Sequence, residues 1–234
     1  MKGEHLPNHL KLQEYFLVVD TETSGLPKNW SAPYSSEKNW PHIIQIAWII
    51  YDQYHQEIKR ENHYINNIGV KIDKAALKVH HIDAEYLQTN GEDKEKVMLA
   101  FADDIEKYHP LVIGHFIELE YHMVNVELHR LDRKNIFKDL VFFCTMKASA
   151  PYITNTVISY LKLDKFYTVL FSKVPENVHN ALSDALNTAK IFFHLLETGK
   201  ISLTSAYHQE HTFNKEKRKP FSLKKIIQGF FNGR

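Results

Sequence analysis

Asp20 and Glu22 are separated by a single residue and follow directly on the apolar run Tyr15 to Val19. On an extended strand that i, i+2 spacing puts both side chains on one face. Two carboxylates held a few ångströms apart repel, and one is pushed to take up a proton unless a cation lies between them. The pair thus has the chemistry of a ligand set for a hard divalent ion such as Mg²⁺ or Mn²⁺. Many strands end in two acids without binding anything, and the pair alone does not decide. A second constellation is His179-Asn-Ala-Leu-Ser-Asp184, at the mouth of an amphipathic segment. Asp184 also fits a first-turn acid favoured by the helix dipole, and His179 is one of fifteen histidines. Glu120 stands just past the apolar run Leu111 to Gly114 and equally fits an ordinary early-helix acid.

These residues need elements to hold them. Tyr15 to Val19, rich in aromatic and β-branched residues, reads as a buried strand that stops at Asp20, with Gly25 supplying the turn afterwards. Residues 27–41, rich in Pro, Ser, Asn and Trp, show no period and form an irregular loop. Its Trp30, Tyr34 and Trp40 read as staples to the body rather than as a groove lining. Ile43 to Tyr51, broken by Gln45, and Glu57 to Ile65 read as a hairpin. Asp93 caps a helix whose Val97, Phe101, Ile105 and Tyr108 recur at helical spacing until Pro110 ends it. Leu111 to Gly114 is a short strand, Glu118 to Leu131 a helix, Val141 to Phe143 another strand, and Ala181 to Leu196 the clearest late helix. His80-His81 reads as a structural turn. Three strands, then helices alternating with two more strands, give an α/β fold: a mixed sheet covered by helices.

Composition narrows the classes. The 234 residues are 44% hydrophobic and 24% charged, which excludes disorder and fibrous repeats. No stretch reaches the roughly 18 apolar residues of a membrane helix, and the first residues lack the pattern of a signal peptide. Cys144 alone cannot form an internal disulfide or a cysteine-based zinc site. A cytoplasmic protein is expected.

Together the segments resemble the motifs of the DEDDh 3′–5′ exonucleases, the family of the proofreading ε subunit of bacterial DNA polymerase III and of RNase T. Val19-Asp20-Thr21-Glu22-Thr-Ser-Gly25-Leu26 is similar to the first motif, and His42-Ile-Ile-Gln-Ile-Ala-Trp48 to the second strand. His80-His-Ile-Asp83 resembles the His-Gly-Ile-Thr turn. Leu111-Val-Ile-Gly-His115, with the residues on to Glu120, resembles the second motif, and His179-x4-Asp184 the third. The resemblance covers about residues 15–197, in family order.

It implies an RNase H-like fold, a five-stranded mixed sheet with helices on both faces, and two divalent ions, Mg²⁺ or Mn²⁺. Asp20 would bridge both ions, with Glu22 and Asp184 completing the site that activates water. His179 would be the general base, a role suited to a pKa near neutrality. Thr21, Gly25, Leu26, His115 and Phe116 lie beside these acids in the motifs and are expected to touch substrate. The second motif departs from the family: Phe116 stands where Asn is usual and Glu120 where Asp is usual, five residues after His115. Glu120 is preferred to Glu118 on that register, and its carboxylate is expected to point at the Asp20–Glu22 pair. Phe116 could stack a terminal base or simply fill the core. The implied reaction is hydrolysis at single-stranded 3′ ends to nucleoside 5′-monophosphates, DNA being preferred over RNA. The alternative is a weakened module that binds nucleic acid or a polymerase.

Residues 1–205 are expected to be the exonuclease domain and residues 206–234 a basic tail. Seven basic residues against Glu216 give residues 214–234 a charge of +6, so the chain's net +1 leaves −5 for the rest. Such asymmetry suits an anionic partner as well as a solvated end. Leu223, Ile226, Ile227 and Phe230 would line a short amphipathic helix capped by Ser222, able to take nucleic acid or a protein such as a DNA polymerase.

Overall fold

A computed structural model describes residues 13–154 and 157–214. The tail expectations for residues 215–234 lie outside the described residues. Five strands, β1 (Tyr15–Thr23), β2 (Ile43–Asp52), β3 (Glu57–Tyr64), β4 (Leu111–Gly114) and β5 (Phe142–Cys144), form one sheet in the order β3-β2-β1-β4-β5. β1, β2 and β3 pair antiparallel, while β4 runs parallel to β1 and β5 parallel to β4. This is the five-stranded mixed sheet of the RNase H-like fold.

Strand alternation sorts the core into two layers. Leu17 and Val19 of β1, with Ile46, Trp48 and Ile50 of β2, pack beneath α3 (Lys94–Tyr108) and α4 (Ile117–Arg130) through Val97, Phe101, Met123 and Val126. Phe16, Val18 and Ile49 face the other way, onto Ala185, Ala189 and Phe192 of α7 (Ala181–Glu197). The small Ala185 and Ala189 let α7 lie close across β1. Helices thus cover both faces, and nine of the ten residues of β2 are buried.

β1 does not stop at Asp20. It continues to Thr23 because β2 goes on supplying backbone partners, with Asp20 opposite Ala47 and Glu22 opposite Gln45. β5 begins one residue later than expected. Three helices were not legible: α1 (Lys74–His80), α2 (Ala84–Asn90) and α6 (Leu163–Phe171), alongside the short α5 (Thr145–Ala148) and α8 (Leu203–Tyr207). His80 and His81 do make a turn: His81 adopts a left-handed φ of 58° to end α1, and buried His80 accepts the Ile82 N–H at Nδ1, 3.0 Å.

Residues 27–41 are irregular, and they are stapled to α4. Trp40 is buried and stacks on His122, with ring centroids 5.4 Å apart; Tyr34 Oη lies 2.9 Å from His122 Nδ1. Arg130 donates to the carbonyls of Trp40 and Pro41. Beneath that staple Glu127, fully buried, accepts the Ile43 N–H at 3.0 Å and pairs with Arg130 at 2.8 Å and Lys94 at 2.9 Å. Burial opposes its ionisation, but His42, Lys94 and Arg130 outweigh that and hold its carboxyl down at about 2.

Beyond α8 a strap closes the outer edge of β5. The Gln209 side-chain amide both donates to the Cys144 carbonyl and accepts the Cys144 N–H, and His211 Nε2 donates to the Phe142 carbonyl. The strap then crosses to α4, where the Thr212 hydroxyl bonds the Glu118 carboxylate and Phe213 stacks on Tyr121 with centroids 4.1 Å apart.

Candidate active site

Asp20 and Glu22 project from β1 on the α7 side, the parity of Phe16 and Val18. α7 delivers Asp184 to meet them: ligand oxygens of Asp20, Glu22 and Asp184 all lie within 4.8 Å of one another. Two polar contacts set the start of α7. Asn180 caps it, its side chain accepting the Ser183 N–H, and the Gln45 side-chain Oε1 accepts the Ala181 N–H at 3.2 Å. Gln45, fully buried, donates in turn to Asn62 at 2.9 Å. The one polar residue in the apolar run of β2 is therefore what seats the helix that carries Asp184. Its interruption of that run was the available signal, and its role was missed.

His179 precedes the cap with a left-handed φ of 66°. That turn brings its backbone N–H to Asp184 Oδ2 at 3.0 Å, so the geometry of the histidine and that of the acid are tied. The residue is exposed at the mouth of the site. Partial desolvation lowers its pKa, Asp164 opposing and Lys162 and His81 adding to the effect.

Glu120 comes from the other face. It is buried in the first turn of α4, and its Oε2 accepts a hydrogen bond from Thr21 Oγ1 at 2.6 Å. It is not one of the tight group of three; it reaches the site from the α4 side, beside Thr21. It remains near enough to repel Asp20. Glu118 is engaged by Thr212 instead.

The other expected substrate residues divide. His115 is corrected: it is buried, with Nε2 donating to the Leu161 carbonyl at 3.1 Å and Nδ1 2.9 Å from Thr145 Oγ1. Both ring nitrogens are spent on the protein, and burial takes its pKa down to about 4. Thr21 is likewise buried and committed to Glu120. Gly25 lies in the bend that follows β1, as expected, and is packed closely. A Cβ there would stand 2.5 Å from Asp73 Oδ2, so any side chain at this position would make the Asp73 carboxylate, just before α1, move aside. Leu26 is half-buried just beyond. Phe116, half-buried at the start of α4, lies 5.6 Å from the Trp30 ring, joining the site to the stapled loop.

Electrostatically the acids are unstable together. Burial raises the pKa of all four; Asp20 is raised further by Glu120, Asp184 and Glu22, and Glu22 by Asp184. Among the described residues Asp184 Oδ1 is buried without a hydrogen-bond partner, an arrangement that costs free energy unless something positive meets it. Clustered hard oxygens with one orphaned atom fit Mg²⁺ or Mn²⁺. No described helix is long and apolar enough to cross a membrane.

Known proteins bear on this geometry. A family model described as an exonuclease matches residues 17–192. No curated protein matches the chain in sequence. Among solved structures, the nuclease domain of 3′hExo, titled a DEDDh family member bound to rAMP, is 12% identical with a TM-score of 0.62, over 81% of this chain and 94% of that one. Exonuclease I of E. coli in complex with a dT13 oligonucleotide is 15% identical with a TM-score of 0.64, over 79% of this chain and 41% of that one. Cell-death related nuclease 4 is 14% identical with a TM-score of 0.60, over 80% and 65%. The chain thus spans less than two thirds of the last and about two fifths of exonuclease I. These likenesses support the RNase H-like fold. With the acids of β1, α4 and α7 all inside the matched span, the chain belongs to the exonuclease family.

Proposed function

We propose that the chain is a metal-dependent 3′–5′ exonuclease that hydrolyses phosphodiester bonds at single-stranded 3′ ends, releasing nucleoside 5′-monophosphates, with DNA preferred over RNA. The observation that carries this is the convergence of Asp20, Glu22 and Asp184, with the orphaned Asp184 oxygen, inside the span matched by the exonuclease family model. Asp20, Glu22 and Asp184 would hold one ion, and Asp20 with Glu120 a second. Such ions lower the pKa of bound water and neutralise charge on the phosphate and the leaving 3′ oxygen.

The chain's own residues supply the rest. His179 accepts the proton of the attacking water, and its neutral imidazole, favoured by the lowered pKa, is the form able to do so. The bond from its N–H to Asp184 keeps base and acid in register. Phe116, with Trp30 behind it, offers an aromatic face to a terminal base. The likeness to one nuclease bound to a deoxyoligonucleotide and another bound to a ribonucleotide supports a nucleic-acid 3′ end as the substrate. A protein partner such as a polymerase would be met through the basic tail.

Incubating the protein with 5′-labelled DNA and RNA oligonucleotides in Mg²⁺, Mn²⁺ or EDTA tests the reading. Stepwise shortening from the 3′ end, faster on DNA and absent in EDTA or in Asp20→Ala, is expected. Retention of the oligonucleotide without cleavage would replace the enzyme by a binding module.

A further inference from the structure

Thr21 stands between the two acids of β1, and alternation turns its side chain to the opposite face, toward α4. There its hydroxyl donates to Glu120 Oε2 at 2.6 Å, joining residues 99 positions apart, both buried. Asp20 and Glu22 face α7, whereas Glu120 arrives from α4. Thr21 is the residue of the strand through which the two sides meet. A glutamate has one more freely rotating bond than an aspartate, and near like charges an unheld side chain relieves repulsion by swinging away. A hydrogen bond to one carboxylate oxygen removes that freedom.

We propose that Thr21 is the positioning residue that fits a glutamate to the second ion: its hydroxyl engages Oε2 and leaves Oε1 as the ligand atom toward Asp20. Thr21 therefore serves the metal site indirectly and does not touch substrate. The inference rests on the two-ion reading of the site given above. It also explains how a longer acid serves there without reaching past its target, since the added length is spent on the bend toward Thr21.

The test reads ion binding directly, without nucleic acid. Mn²⁺ is titrated calorimetrically into the wild type, Thr21→Val, Thr21→Ser, Glu120→Asp and the Thr21→Val/Glu120→Asp double variant. Valine matches threonine in shape and lacks the hydroxyl. Thr21→Val is expected to weaken the weaker of two binding events roughly 10–100-fold, the usual effect of removing a residue that orients a ligand, and to leave the tighter one unchanged. Thr21→Ser should restore it. In the Glu120→Asp background the shorter acid no longer reaches the hydroxyl, so adding Thr21→Val should change nothing. If Thr21→Val does not fold, Thr21→Cys takes its place with the same expected loss. Two undiminished binding events in Thr21→Val, or an equal loss in the Glu120→Asp background, would overturn the assignment. A wild type that binds no Mn²⁺ and degrades no oligonucleotide would overturn the functional reading instead.

Discussion

At the scale of residues, the acids pose a question of sign. The carboxyl pKa values are raised in the folded protein, so the metal-free fold binds protons that the unfolded chain has already released. Its stability is greatest near the ordinary carboxylate values and declines as pH rises through the raised ones. Asp184→Asn removes one of the repelling charges and keeps an oxygen for the His179 N–H. In EDTA it should raise the melting temperature by a few degrees at pH 8 and by less at pH 5, while abolishing nuclease activity. A melting curve at each pH and a cleavage assay check both halves. His179→Ala makes a different pattern. A lost general base should lower kcat by roughly 10²–10⁴-fold with Mn²⁺ affinity unchanged; a comparable loss of Mn²⁺ binding would make His179 a ligand.

Elements show what a sequence can and cannot reveal. The long helices were legible because Val97, Phe101 and Ile105, or Ala185, Ala189 and Phe192, repeat over several turns. α1 and α2 have seven residues each, too few turns for a period to emerge. Asp20, Glu22 and Asp184 were singled out by type and spacing, but each also fitted an ordinary strand-end or first-turn acid. Only the resemblance to the exonuclease motifs joined them into one site. The roles of Gln45 and Thr21 were not legible, since each acts on a partner distant in sequence, Ala181 and Glu120. The same holds for Glu127, whose pairing joins α4, α3 and the start of β2. Its folded pKa of about 2 against an ordinary 4.5 means that its contribution is complete above pH 4.5 and is lost as pH falls toward 2. Glu127→Gln should cost roughly 3–5 kcal/mol at pH 7, because it leaves Lys94 and Arg130 without their shared partner. It should also flatten the acid limb of stability, measurable as urea midpoints at pH 6 and pH 3.

For the whole molecule, the end of the described chain lies against the first turn of α4, where Thr212 meets Glu118 two residues before Glu120. Residues 215–234 start from that point and carry the basic charge. Removing them should weaken oligonucleotide binding and reduce its logarithmic salt slope by about 0.7 for each phosphate no longer neutralised, with the melting temperature unchanged. An unchanged slope would assign the tail to a protein partner or to solvent. The strap before it has a separate consequence. An edge strand offers unpaired amides and carbonyls on which another chain can template itself. One side-chain amide, that of Gln209, occupies both Cys144 groups on the β5 side. On the opposite side β3 carries Glu57, Lys59, Arg60 and Glu61, a row of charges that discourages docking by a further strand. Gln209→Leu should therefore leave the acids in place and convert a self-contained sheet into one that recruits copies of itself, visible as concentration-dependent association in sedimentation.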